Sequence, residues 1–128
     1  MSFHLWNMIS NLKNGQLSKK VSITQKKKKI CTEVLNVLWD EGFILGYRNH
    51  PTKMGLVIIF LKYVKHEPSI RNIVSISKPS CRVYFSLKNI WKLESGVSLV
   101  IFSTNKGVCS TKLCKQLKIG GEPLIHLN

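Results

Sequence analysis

Carboxylates are scarce in this chain of 128 residues: six Asp plus Glu face twenty Lys plus Arg, a formal net charge of +14. Such a balance excludes an acidic or charge-neutral surface. The self-repulsion has to be offset by a polyanion or carried as a cost, and nucleic acid is the commonest such partner. Long apolar stretches are missing too. The longest, Leu56 to Leu61, is far too short for a hydrocarbon core about 30 Å thick, which excludes a membrane-spanning helix and leaves a membrane surface as the rival polyanion. No charged start, apolar middle and small-residue cleavage site marks a secretory leader, and no Arg-rich, Ser-rich amphipathic transit peptide is seen, so synthesis in the compartment of use is expected. Alanine is absent, and apart from Arg48, Arg71 and Arg82 the basic residues are all lysine. This bias reads as AT-rich coding and sets the expected location as a mitochondrion, ahead of a plastid or an AT-rich bacterial cytoplasm.

Cysteine is sparse. Cys31, Cys81, Cys109 and Cys114 fit no small secreted scaffold, and reduced thiols are expected. The one close pair is four residues apart with no second pair or His-x-x-x-His behind it, so no metal site is expected. His4, His50, His66 and His126 lie in unrelated segments. With no orienting third group and no oxyanion turn, an enzyme is not expected, nor a cofactor or a small-molecule substrate.

What is present suffices for a core: 44% of residues are hydrophobic, enough for one compact domain or two very small ones. Phe3, Leu5, Trp6, Met8, Ile9 and Leu12 make one helical face that Asn14-Gly15 should stop. Val21 and Ile23 give a short strand, and Thr24 is placed as the N-cap of a second helix with the spine Ile30, Val34 and Leu38, closed by a left-handed Gly42. Residues 43–48 and 56–63 form a hairpin turning at His50-Pro51. A polar connector from Val64 to Pro68 is the expected boundary, with domains at 1–66 and 67–128. Beyond it the pattern turns to strands. Pro79 must break or edge one of them, a helical turn carrying Trp91 fits 87–93, strands fit 97–102 and 124–127, and Ser110 caps a short helix. The fold class is therefore α+β, an α/β two-layer arrangement: helix-strand-helix-hairpin first, then mainly antiparallel strands with short helices.

Two features carry binding chemistry. Lys26, Lys27, Lys28 and Lys29 are read as the first turn of the second helix, where four ammonium groups are unfavourable unless phosphates reach them and the helix start. Ser103, Thr104 and Asn105 deliver two hydroxyls and an amide into a Lys106-Gly107 turn. Such small groups hydrogen-bond sugar edges, phosphates and exposed bases without filling space. Tyr84 is read as a stacking surface, Lys78 and Arg82 as phosphate ligands, and Glu122 as the acid that fixes the Ser103 and Thr104 donors, with Gly120 and Gly121 permitting close approach.

The residues Ile76-Ser77-Lys78-Pro79-Ser80-Cys81-Arg82-Val83-Tyr84, Ser103-Thr104-Asn105-Lys106-Gly107-Val108 and Gly120-Gly121-Glu122 occur in that order. With Leu12-Lys13-Asn14-Gly15, Val21-Ser22-Ile23 and Glu41-Gly42-Phe43-Ile44, they resemble the family of the universal small-subunit ribosomal protein eight over nearly the whole chain. The resemblance implies two small α/β halves, no catalysis and no cofactor. It implies binding to the central domain of small-subunit ribosomal RNA during assembly, beside neighbouring small-subunit proteins, with Lys13, Asn14, Lys78, Pro79 and the 103–107 loop among the contacts. Asn105 stands where the family usually has serine, and lysine replaces arginine near the end of the first helix, which keeps charge but loses the planar fork. The alternative reading is a general polyanion or membrane-surface binder working through the lysine run.

Overall fold

The computed structural model describes residues 3–76, 84, 86, 88, 90 and 99–127. The chain divides into two compact units, residues 2–71 and 72–128. In the first, helix α1 (Phe3–Leu17) buries Leu5, Met8, Ile9 and Leu12, the face its apolar spacing sets out. Helix α2 (Lys29–Asp40) buries Cys31, Val34, Leu35 and Leu38 at three- and four-residue offsets. Strands β1 (Ser22–Lys26), β2 (Ile44–Asn49) and β3 (Leu56–Leu61) form an antiparallel sheet in the order β1-β3-β2. Along β3 the side chains of Val57, Ile59 and Leu61 are buried and their neighbours half-buried, the period of two that a sheet covered on one face requires. Full burial of each aliphatic side chain contributes about 1.5 to 3 kcal/mol, which is why these rows fix the register.

Three local expectations are corrected here. Gly15 does not stop α1, which runs on to Leu17. A Cβ on Gly15 would meet Ile23 Cγ2 at 2.7 Å and Leu61 Cδ1 at 3.1 Å, so this glycine lets the helix lie close on the sheet. Thr24 caps nothing: it lies within β1, opposite Ile58, and α2 starts from Lys28 with no side-chain cap. Lys26 consequently ends a strand, Lys27 and Lys28 form a connector, and only Lys29 is helical. Gly42 closes α2 as expected, at φ +79°, with the Phe43 N–H donating to the Leu38 carbonyl at 2.9 Å. The polar connector is itself a small hairpin of β4 (Tyr63–Val64) and β5 (Glu67–Pro68), turning on Lys65 and His66 at positive φ. The Tyr63 hydroxyl ties it to the Lys20 carbonyl at 2.5 Å.

In the second unit, β6 (Ile73–Ser75), β7 (Leu99–Thr104), β8 (Gly107–Ser110) and β9 (Glu122–Leu127) form an antiparallel sheet in the order β6-β9-β7-β8. Its core holds Ile73, Ile101, Phe102, Cys109, Leu124, Ile125 and Leu127. Pro123, which has no N–H for a ladder, pairs with Phe102 where the β7–β9 register shifts and Leu124 is the extra residue. Helix α3 (Thr111–Leu117) begins at Ser110, whose side chain accepts from the Leu113 N–H at 3.3 Å, as expected. The Pro79 break and Trp91 lie outside the described residues, though the Ile90 N–H, in the expected helical turn, donates to the Ser86 carbonyl at 3.0 Å.

Candidate nucleic-acid interface

Strand β7 lies between β9 and β8, so its end is held from both sides: Ser103 stands opposite Glu122 on one and Val108 on the other. The chain then reverses through Asn105 and Lys106, both exposed, and Thr104 faces Gly107 across the base of the turn. The Thr104 hydroxyl closes this turn. It donates to the Gly107 carbonyl at 2.8 Å and accepts from the Lys106 N–H at 3.1 Å. Cys109 Sγ lies 3.7 Å from the same hydroxyl oxygen and 3.8 Å from the Gly107 carbonyl oxygen.

The sequence reading assigns the bracing of the tip to Glu122; within the turn itself the closing bonds are made by Thr104. Its single donor is spent inside the turn, which leaves the hydroxyl as an acceptor toward any ligand. Glu122 is buried, with 7% of its surface exposed, although it sits in a very basic protein. Gly107 adopts φ +104° with nothing near its Cβ position, so conformation selects glycine there. At Gly121 space selects it. A Cβ would meet the Ser103 carbonyl oxygen at 2.6 Å and Thr104 Cγ2 at 2.8 Å.

Beside the tip is an open cleft of about 630 Å³. Its lining brings together Tyr84, Ser103, Thr104, Asn105, Gly120, Gly121 and Glu122, seven of the sequence-predicted positions. Tyr84 is 70% exposed, as a stacking surface requires. Ile119 also lines the cleft, and Cys109 supports its rim. Neither is singled out by the sequence: Ile119 looks like a loop aliphatic, and only the β8 pairing turns Cys109 toward Thr104. Lys106 and Gly107 form the adjoining tip. Lys78, Pro79 and Arg82 lie outside the described residues. Lys13, Asn14 and the run of Lys26 to Lys29 belong to the other unit and are all exposed.

Chemically the cleft offers an aromatic face, an amide, hydroxyl oxygens and a glycine floor, a set suited to stacking and short polar contacts. Among the described residues no group of His, Cys, Asp and Glu is placed to hold a metal ion. Behind the cleft, Cys109 and Cys114 are buried free thiols packed with Phe102 and Ile90. Burial pushes the Cys114 thiol up to about 12, and neighbouring Cys109 adds to the rise. It is therefore a protonated core group at neutral pH and no nucleophile.

The family model described as Ribosomal protein S8 matches residues 4–127. The small ribosomal subunit protein uS8 of Bradyrhizobium sp. (strain ORS 278) is 37% identical over 128 residues, covering 97% of each chain. The protein of the same description from Wigglesworthia glossinidia brevipalpis is 34% identical over 121 residues, covering 94% of this chain and 93% of its own. That from Caulobacter sp. (strain K31) is 37% identical over 129 residues, covering 99% and 98%. A match running through both units, with the hydroxyl-bearing tip and its glycine brace in place, makes this chain a member of the ribosomal protein S8 family, a structural and non-enzymatic family.

Proposed function

We propose that this protein is a structural constituent of the small ribosomal subunit that binds the central domain of small-subunit ribosomal RNA and stabilises its fold during assembly. The observation that carries the reading is the cleft in which Tyr84, Ser103, Asn105 and the Gly120-Gly121 floor surround a turn already locked by Thr104. Structured RNA presents 2′-hydroxyls in a shallow groove and unstacked bases at junctions, and a rigid polar tip beside an exposed aromatic complements both. Ser103 and Asn105 contact sugar or base edges, and Thr104 accepts from them. Tyr84 stacks, and Lys106 with Lys78 and Arg82 neutralises phosphates. Pro79 and Gly107 shape the backbone near the RNA, and Glu122 holds the β9 side of the cleft. Selective binding thus sits in the C-terminal part, placed by the sequence at 67–128, while the part at 1–66 adds Lys13, Asn14 and the run of Lys26 to Lys29. Neighbouring small-subunit proteins complete its surroundings. An organellar and specifically mitochondrial ribosome is the finer reading. Its support is compositional, the absence of alanine and the dominance of lysine, while the relatives named above are bacterial.

The test is the double substitution Ser103→Ala with Thr104→Ala. Each lost hydrogen bond is worth about 0.5 to 1.5 kcal/mol, so affinity for a central-domain junction should fall roughly tenfold. Salt-sensitive binding to random RNA should stay unchanged. Equal losses on both RNAs, measured by filter binding, would overturn the proposal.

A further inference from the structure

Strand β3 reads Leu56-Val57-Ile58-Ile59-Phe60-Leu61, apolar on both of its faces. The two helices cover only one of them. Gly15 of α1 lies close on Ile23 and Leu61, and Asn36 of α2 accepts from the hydroxyl of Tyr47, which stands opposite Ile59, so α1 and α2 share the face of Val57, Ile59 and Leu61. The other face presents Leu56, Ile58 and Phe60, half-buried between the neighbouring strands, and the described elements packed on this sheet are α1 and α2. An antiparallel sheet wetted on one side carries polar residues there. The edge strand β1 follows that rule with Ser22, Thr24 and Lys26, opposite Phe60, Ile58 and Leu56; central β3 does not. Charge on this face has a single sign. Arg48, opposite Ile58, holds its guanidinium carbon 5.6 Å from the centre of the Phe60 ring, and Lys26 stands at the corner beside Leu56. The carboxylates of residues 2–71 are elsewhere: Glu33 and Asp40 in α2, Glu41 at its C-cap and Glu67 in β5, and the one ion pair among the described residues joins Glu67 to Arg71.

We propose that the face of Leu56, Ile58 and Phe60 is a protein-docking surface, and that its occupant is an amphipathic helix of a neighbouring protein with carboxylates beside its apolar stripe. The ribosomal reading supplies only the setting in which that neighbour is found. Size fits one helix. Three strands about 4.8 Å apart make a face about 10 Å wide, the diameter of a helix, and the row from Leu56 to Phe60 runs about 13 Å, or roughly two turns. Charge sets the sign of the partner, since a carboxylate flanking the stripe meets Arg48 and no acid on this face opposes it. Apolar side chains laid along the row supply the cover that the second face of β3 lacks. RNA suits the surface poorly: Leu56 and Ile58 offer no ring to a base, and Arg48 already lies over the ring of Phe60.

The experiment places the photo-reactive residue benzoylphenylalanine in the full chain in place of Thr24, which is exposed opposite Ile58, and irradiates intact cells. The expected adduct joins this position to a segment of another protein in which apolar residues recur every three or four positions with Asp or Glu beside them. Ile58→Glu, which sets a carboxylate in the row, should reduce that adduct by about tenfold or more, and Arg48→Gln should reduce it several-fold. Both variants should keep the selective RNA binding that depends on Ser103 and Thr104. Arg48 is exposed, so its variant decides should Ile58→Glu fail to fold. An adduct to RNA, an adduct to a protein segment without that pattern, no adduct to another macromolecule, or an adduct that the folded variants leave at the wild-type level would overturn the proposal. Sedimentation of the adduct separates it from the ribosomal reading: a partner of the expected chemistry found away from small subunits would uphold the docking surface and sink the ribosomal assignment instead.

Discussion

At Gly121 the obstacle to a side chain is backbone, which has nowhere to go. The Ser103 carbonyl oxygen stands 2.6 Å from where a Cβ would be, so Gly121→Ala must push β9 away from β7 at the base of the tip. Overpacking of this kind costs about 1 to 3 kcal/mol, and we expect a lower urea midpoint together with weaker selective RNA binding. The control is Gly107→Ala, which meets no atoms but forces alanine to φ +104°. A second residue-scale prediction concerns Cys114, whose thiol burial holds at about 12 against an ordinary value of 9.0. The unfolded chain loses that proton above pH 9 and the folded chain does not. The stabilisation is therefore complete below pH 9 and is lost as pH rises toward 12. Thermal melts of wild type and Cys114→Ala across pH 8 to 10.5 should converge as the wild type alone loses this contribution.

Among the elements, α3 ends expensively. Its C-cap is Lys118 at φ 56° and ψ 49°, a left-handed conformation that glycine adopts freely and other residues reach at a cost of about 1 kcal/mol. Lys118→Gly should raise the unfolding free energy by up to that amount, less the few tenths contributed by a cation near the helix end, and so raise the urea midpoint. Two glycines near helix ends show what sequence can and cannot reveal at this scale. Gly42 was legible because a left-handed closure is a local property of the chain, and so was the Ser110 cap. Gly15 was not, because its reason lies in Ile23 and Leu61, eight and forty-six residues away. Thr24 misled for a related cause: a hydroxyl before a lysine run looks like a cap, but the pairing of β1 with β3 claims it as strand. The lysine run, all but Lys29, moved off the helix with it.

For the whole molecule, charge is the property that composition states most fully. Twelve cationic side chains and four carboxylates fall in residues 2–71, eight and two in residues 72–128, so each unit is basic by itself. The mixed α+β class and the cleft residues of the second half were readable because hydroxyls, glycines and an aromatic at a strand end have few other uses there. Less readable was the joining of Lys26 to Lys29 with the turn at 50–55, since one backbone hydrogen bond from Lys27 to Gly55 creates it and no motif announces it. Ile119 and Cys109 escaped notice for the same reason: their roles come from neighbours across the sheet.

The turn that Thr104 fastens with its own hydroxyl has a consequence for the order of events in assembly. In the proposed contact with RNA, a loop set in advance has little freedom left to surrender, so the shape change would fall to the other side. The protein then serves as a mould: a wandering junction is cast against it early, and later arrivals meet RNA that has already hardened.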